Sequence, residues 1–229
     1  MKVKLRKSSM VIIAVLLIVT SCVIMLALIN RSSELEGLPN YTDDKQKINV
    51  DGFKYENQPH IGDPNAKIKV IEFADFKCPA CKKWSAENFE KFKSEFIDTG
   101  KVEFFYMNYA FIDRDSYLAA AAGEAIYQQN NEKFWEFYEL LYQNQGNESE
   151  IWATPSFLIK LVKENITNID LEQFEYDVRN HVYLHDVKVD YKTGGYYGVN
   201  GTPSFFVNGK ILRSSSYEDL RKAILSESE

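Results

Sequence analysis

Cysteine is scarce. The chain has 229 residues and three cysteines, and Cys22 falls inside an apolar stretch near the start, which leaves Cys78 and Cys81 alone beyond it. A single Cys-x-x-Cys with no second pair cannot complete a four-ligand zinc site. Basic stripes interleaved with aromatics are missing and the net charge is −6, so no nucleic-acid partner is expected. No Asp-x-Asp-x-Asp-Gly loop occurs, which excludes an EF-hand, although a calcium site built from distant segments would leave no such trace. His181 and His185 stand one helical turn apart without a third ligand at metal spacing, so no metal is assigned to them. There is no internal repeat and no low-complexity segment.

What the chain does have is an ordinary globular composition, 45% hydrophobic and 26% charged, with a high aromatic share of 14%. Lys2, Lys4, Arg6 and Lys7 give residues 1–9 a basic character, and residues 10–29 follow as an uncharged apolar run. About 20 such residues span a hydrocarbon core. Positive charge before the span sets residues 1–9 in the cytoplasm and everything after residue 29 outside, a signal-anchor at the cell membrane. Two alternatives stay open. A cleaved signal peptide has a shorter apolar region, and Val19-Thr-Ser-Cys22 resembles a lipoprotein cleavage box, though the chain stays apolar beyond it. Each of the three exports the rest of the chain. Residues 30–52 are polar and aperiodic, which reads as a linker.

Ile68–Phe73 is a β-rich run fit for a central strand. Cys78 to Asp98 carries Trp84, Phe89, Phe92 and Phe96 at helical spacing and stops at Gly100. Val102–Asn108 is a second strand, so strand, helix and strand form a parallel βαβ unit. A helical stretch follows: Ser116–Tyr127, Lys133–Tyr142, a helix begun by Thr154-Pro155, and a fourth from Leu171 to about Tyr191 with Phe174, Val178, Val182 and Val189 on one side. The aromatic stripe at 134–142 reads as core. Gly194, Gly195, Gly198 and Gly201 read as a loop cluster. Ser204–Val207, the Asn208-Gly209 turn and Lys210–Arg213 predict a type I′ hairpin, and a last helix runs from about Tyr217 to Leu225.

Cys78 therefore sits where a strand gives way to a helix. A thiol there faces unpaired backbone N–H groups and the positive end of the macrodipole, which favour its thiolate. Cys81, one turn on, can close a disulfide without backbone movement. A loop that short contributes little stability as a cross-link, so a purely structural disulfide is a poor reading.

A β-rich run, Cys-Pro-Ala-Cys opening a helix, a strand, then Thr-Pro before an Asn-Gly hairpin and a last helix resembles the thioredoxin fold. The helical block between the two halves resembles the insertion of the DsbA family. With an N-terminal anchor and Glu-Phe-x-Asp-x-Lys-Cys-Pro-x-Cys, the chain is most similar to membrane-tethered DsbA-like oxidoreductases of Gram-positive bacteria, the BdbD type, over about Tyr55 to Leu225. The resemblance implies an α/β thioredoxin fold, a central mixed sheet flanked by helices, spanning residues 53–114 and 192–229, with an all-helical insertion at 115–191 and a transmembrane helix before it.

It also implies roles. Cys78 matches the exposed nucleophilic cysteine, with Lys77, Lys82 and Lys83 as added support for its thiolate, and Cys81 the buried resolving one. Glu72 matches the buried acid beneath the pair, a proton relay for Cys81, against the bland alternative of a carboxyl paired with a nearby lysine. Thr202 and Pro203 match the cis-proline loop that offers backbone to an extended substrate. The same tetrapeptide at Thr154 precedes no hairpin and reads as a helix start. Ala80 stands where the family often has histidine, which leaves the strength of the oxidant open between roughly −270 mV for thioredoxin and roughly −120 mV for DsbA. The implied activity is a dithiol oxidase that introduces disulfides into unfolded exported proteins bearing free thiols. The redox-active disulfide would need no other cofactor, and a DsbB-like quinone-reducing membrane partner would reoxidise it. The alternatives are a membrane-tethered thiol reductase, and a binding module whose cysteines only staple a loop.

Overall fold

A computed structural model describes residues 7–227, with side chains from residue 10 onward. The basic positions Lys2, Lys4 and Arg6, the side chain of Lys7, and residues 228 and 229 lie outside the described residues. Contacts divide the chain at Gly37 into two units. In the first, α1 (Lys7–Glu36) has neither proline nor glycine to stop it before Gly37. Its apolar window has a mean hydropathy of 3.2 and is nowhere buried, so it is long and apolar enough to cross a membrane.

The second unit starts earlier than a linker over 30–52 requires. Leu38 is 2% exposed, and the Arg114 guanidinium donates to the Leu38 and Pro39 carbonyls. The Tyr41 ring packs on Tyr117 and Tyr191, and Asp44 pairs with His185 at 3.0 Å and Lys188 at 3.6 Å. Polar composition suggested a free tether; partners more than 70 residues away along the chain hold this segment instead.

The second unit is built on a five-stranded sheet in the order β1-β3-β2-β4-β5. β2 (Ile68–Ala74) and β3 (Val102–Asn108) form the parallel pair. β1 (His60–Gly62) runs antiparallel to β3, and β4 (Ser204–Val207) antiparallel to β2. β5 (Lys210–Ile211) closes the edge through a turn in which Asn208 and Gly209 both take positive φ, 47° and 78°. β5 ends two residues sooner than the pattern to Arg213 implied. Alternation along β2 sorts the two faces. Ile71 and Phe73 join Phe53, Phe105, Met107, Tyr109, Val199 and Phe206 in one core cluster. Glu72 points to the other face, beside Tyr106 and Phe205 in register.

The helix after Cys78 is continuous but not uniform. α2 (Pro79–Trp84) passes into a wide π turn at Ser85–Phe89, then α3 (Glu90–Phe92), then a second π turn at Lys93–Ile97. Between β3 and β4 come α4 (Arg114–Gln129), α5 (Asn131–Gln143), α6 (Pro155–Asn165), α7 (Leu171–Asn180) and α8 (Leu184–Tyr196). Thr154 caps α6 as expected, its hydroxyl accepting from Phe157 N–H. The chain finishes with α9 (Tyr217–Ser226).

Two expectations need correction. One helix from Leu171 to Tyr191 is in fact two, because His181 takes a left-handed conformation, φ 53°; Phe174 and Val178 are buried but Val182 is 44% exposed. Gly194 and Gly195 are not loop but the last turn of α8. A Cβ on Gly194 would lie 2.7 Å from Tyr109 Cδ2 and 3.1 Å from Phe73 Cδ1, so the missing side chain lets α8 seat on the sheet. The insertion accordingly runs past residue 191.

Candidate active site

The loop Asp75–Cys78 joins β2 to α2 and is held from every side. Cys78 is the N-cap residue of α2, with extended backbone, and Pro79 takes the first helical position, where its missing N–H costs nothing. The Cys78 N–H donates to the Asp75 carbonyl at 2.9 Å, and its own carbonyl accepts from Lys82 N–H at 3.1 Å. The Asp75 carboxylate accepts from the backbone N–H groups of Lys77, Phe111 and Ile112. From the helical insertion, the Gln145 amide donates to the carbonyls of Phe76 at 2.7 Å and Cys78 at 3.1 Å.

Both cysteines are free thiols and buried, Cys78 at 7% exposure and Cys81 at 0%. Cys78 is thus far less exposed than its expected role suggested; the loop carrying Thr202 and Pro203 covers it, and as a thiol it donates to the Thr202 carbonyl at 3.4 Å. The Thr202–Pro203 peptide bond is cis. Beside it a cleft of about 490 Å3 is lined by Gly201, Thr202, Pro203, Leu212 and Arg213.

The two sulfurs are electrostatically unequal. A hydrogen bond from the Cys81 thiol brings Cys78 down to about 6, helped by the Thr202 side chain and by the N–H groups of Cys81 and Ala80, against burial. Those N–H groups are the unpaired donors of the helix terminus. Cys81 moves the other way. Burial, its role as donor to Cys78, and the nearby charges of Cys78 and Glu72 push it well above the ordinary thiol range.

The lysines do not take part as expected. Lys77 is 0% exposed and turns away into the insertion, where its ammonium pairs with Asp115 at 2.6 Å and donates to the Glu150 carbonyl at 3.0 Å. The second Asp115 oxygen accepts from Trp152 and Ala153 N–H. Lys82 reaches the Gln145 carbonyl at 3.4 Å, and Lys83 is exposed.

Glu72 lies under the pair, 0% exposed. Burial pushes its carboxyl up to about 8, with the charge of Cys78 adding to the rise and a hydrogen bond from Tyr138 opposing it. The Tyr138 hydroxyl donates to Oε2 at 3.3 Å, whereas Oε1 has no hydrogen-bond partner. Among the described residues no lysine pairs with it, so the bland reading of a carboxyl satisfied by a cation is not what the structure shows. Sequence reasoning missed Gln145, Asp115 and Tyr138. The first two carry no local signal, and Tyr138 was hidden in an aromatic stripe that does pack as core.

Among the described residues no group of three or more His, Cys, Asp or Glu side chains is placed to hold a metal ion. The nearest approach lies away from the dithiol, where Glu124 and Asp190 are both buried. The Asn108 amide donates to both carboxylates, and the Gln58 amide donates to Asp190. Burial pushes Asp190 up to about 7 and raises Glu124. Asn108 Oδ1 and Gln58 Oε1 have no hydrogen-bond partner. An all-oxygen set of this kind suits a hard cation rather than zinc. His181 and His185 are on opposite sides of a helix break, and His185 is engaged with Asp44.

A family model described as Thioredoxin matches residues 54–225. The chain is 41% identical over 185 residues to the probable disulfide bond formation protein D of Bacillus anthracis, covering 81% of this chain and 85% of that protein. It is 31% identical over 173 residues to the disulfide bond formation protein D of Bacillus subtilis strain 168, covering 75% and 78%. The fold superposes on the crystal structure of oxidised BdbD from Bacillus subtilis with a TM-score of 0.72 at 31% identity, covering 79% of this chain and 98% of the other. For Chlamydia trachomatis DsbA the TM-score is 0.69 at 25% identity, covering 80% and 96%.

Proposed function

The chain belongs to the thioredoxin-fold protein-disulfide oxidoreductases, within them to the DsbA-like proteins of the BdbD type, and from that premise we propose that it is a dithiol oxidase acting on exported proteins. A thiolate of the substrate attacks Cys78 Sγ, the bond to Cys81 breaks, and the electron pair leaves on Cys81, which takes a proton from Glu72. A second substrate thiolate then attacks the substrate sulfur of the mixed disulfide, and Cys78 departs as thiolate. Two electrons pass from the substrate dithiol to the enzyme, and the substrate gains a disulfide. Thr202 and Pro203 present backbone to the substrate along the adjoining cleft.

The observation that carries this reading is the inequality of the two sulfurs. At pH 7 a thiol titrating near 6 rather than 9 favours the reduced pair about elevenfold, roughly 1.4 kcal/mol or ~30 mV. That one sulfur moves the pair toward the oxidising side. Reoxidation falls to a quinone-reducing membrane partner of DsbB type, and α1 keeps enzyme and partner in one membrane with the catalytic unit outside the cytoplasm. The apolar span and the basic residues before it support that placement.

The test is oxidation of a reduced, unfolded protein by the wild type and by Cys78→Ser. The variant should be inactive; turnover by it would overturn the assignment. A reduction potential at the thioredoxin end, measured against glutathione, would reverse the direction and make the protein a tethered reductase.

A further inference from the structure

In the reading above Glu72 exchanges a proton with Cys81 once per cycle, yet Glu72 is 0% exposed. One of its oxygens, Oε1, has no hydrogen-bond partner, and the carboxyl lies close enough to Cys81 for the two charges to act on one another. Its other oxygen, Oε2, is held by Tyr138. Tyr138 projects from α5 and is itself 0% exposed, but the Ser85 side chain faces its hydroxyl. Ser85 is the first residue of the wide turn that follows α2, one helical turn beyond Cys81. It lines a groove of about 470 Å3 between that turn and α5, with Lys82, Ala86, Glu90, Glu139 and Tyr142. Ala86 and Glu90 are exposed, so the groove opens to solvent.

We infer that Tyr138 and Ser85 form the proton path between Glu72 and this groove, whose lining shares no residue with the cleft at Thr202 and Pro203. The inference rests on the role given to Glu72 above. Every link is a hydroxyl or carboxyl able both to give and to accept a proton. When the reduced pair is reoxidised, Cys78 thiolate attacks a disulfide and a mixed disulfide forms. Cys81 then gives its proton to Glu72 carboxylate and attacks Cys78 Sγ, expelling the second thiolate of the oxidant. Protonated Glu72 passes its proton to the Tyr138 oxygen as Tyr138 passes its own to Ser85, and Ser85 releases one to groove water. In the opposite direction the same chain reprotonates Glu72. Tyr138 and Ser85 touch neither sulfur in this account, so they are positioning residues that act through Glu72. The other titratable groups around Glu72 are Cys78 and Cys81 from the active-site helix, Tyr106 from β3, and Tyr142 from α5.

The full chain in detergent, reduced and mixed rapidly with oxidised glutathione, reads the step directly as closure of the Cys78–Cys81 disulfide from the mixed disulfide. Tyr138→Phe keeps the ring and deletes the hydroxyl, and Ser85→Ala makes a smaller cut at a half-buried site. Closure should slow about tenfold in Tyr138→Phe and severalfold in Ser85→Ala, less than the roughly 10²–10⁴-fold ascribed to a directly acting acid or base, because Glu72 itself stays in place. Both variants should lose part of the wild-type solvent deuterium isotope effect, and alkylation of Cys78 by iodoacetamide should be unchanged. Wild-type closure rates and isotope effects in both, with Glu72→Gln slow, would overturn the path and leave Glu72 in its role. Slow closure in Tyr138→Phe with an unaltered isotope effect would also overturn it, as a packing defect. Wild-type behaviour of Glu72→Gln itself would instead remove the reading on which the path depends.

Discussion

Glu72 and Lys77 are both fully buried, stand within six residues of Cys78, and end in opposite situations. Lys77 finds a carboxylate and a carbonyl. Removing a partner from a buried pair of this kind costs about 3–5 kcal/mol, so its charge is committed to Asp115 and not to the thiolate. Glu72 finds one tyrosine hydroxyl and no cation, and its carboxyl titrates near 8 instead of 4.5. The folded state therefore holds that proton more tightly than the unfolded chain does. Its contribution to stability is fully present below pH 4.5 and is lost as pH rises through about 8. Glu72→Gln should leave stability unchanged near pH 4 and raise it on the order of 3 kcal/mol at pH 7. Urea unfolding at the two pH values checks this, and an equal effect at both would contradict it. The type of residue at 72 and 77 was legible in the sequence; what each would pair with was not, because Tyr138 and Asp115 arrive from the insertion.

At the scale of elements, legibility followed the range of the interactions. β2, β3 and the hairpin were readable because alternation and an Asn-Gly turn are local signals. The α7–α8 break at His181 and the glycine-containing end of α8 were not, because tertiary contacts override propensity there. Gly194 shows how. Its neighbour Tyr109 cannot swing away freely, since the Tyr109 hydroxyl donates to the Val199 carbonyl at 2.8 Å, three residues before Thr202. Gly194→Ala should therefore cost about 1–3 kcal/mol by overpacking, lower the thermal midpoint, and slow dithiol oxidation by disturbing the loop at Thr202. A variant as stable as the wild type would show that α8 has slack the packing does not suggest. The segment 38–44 belongs with these failures, its docking partners being Arg114, Tyr117 and His185 far along the chain.

Over the whole molecule, the insertion reaches back to bracket one loop of four residues. Asp115 holds Lys77, Tyr142 reaches the Asp75 carbonyl at 3.4 Å, and Gln145 holds the carbonyls on either side of Lys77. The thioredoxin half supplies Thr202 from above and Glu72 from below. This frame keeps the N–H groups of Ala80 and Cys81 aimed at one sulfur while its neighbour stays dry, and that inequality is the basis of the proposed activity. The most direct test is the rate of iodoacetamide alkylation of the reduced full-length chain across pH 4 to 10. The fraction alkylated at Cys78, read by peptide mass so that Cys22 is counted apart, should rise with a midpoint near 6. A midpoint near 9, where an ordinary thiol titrates, would contradict the account.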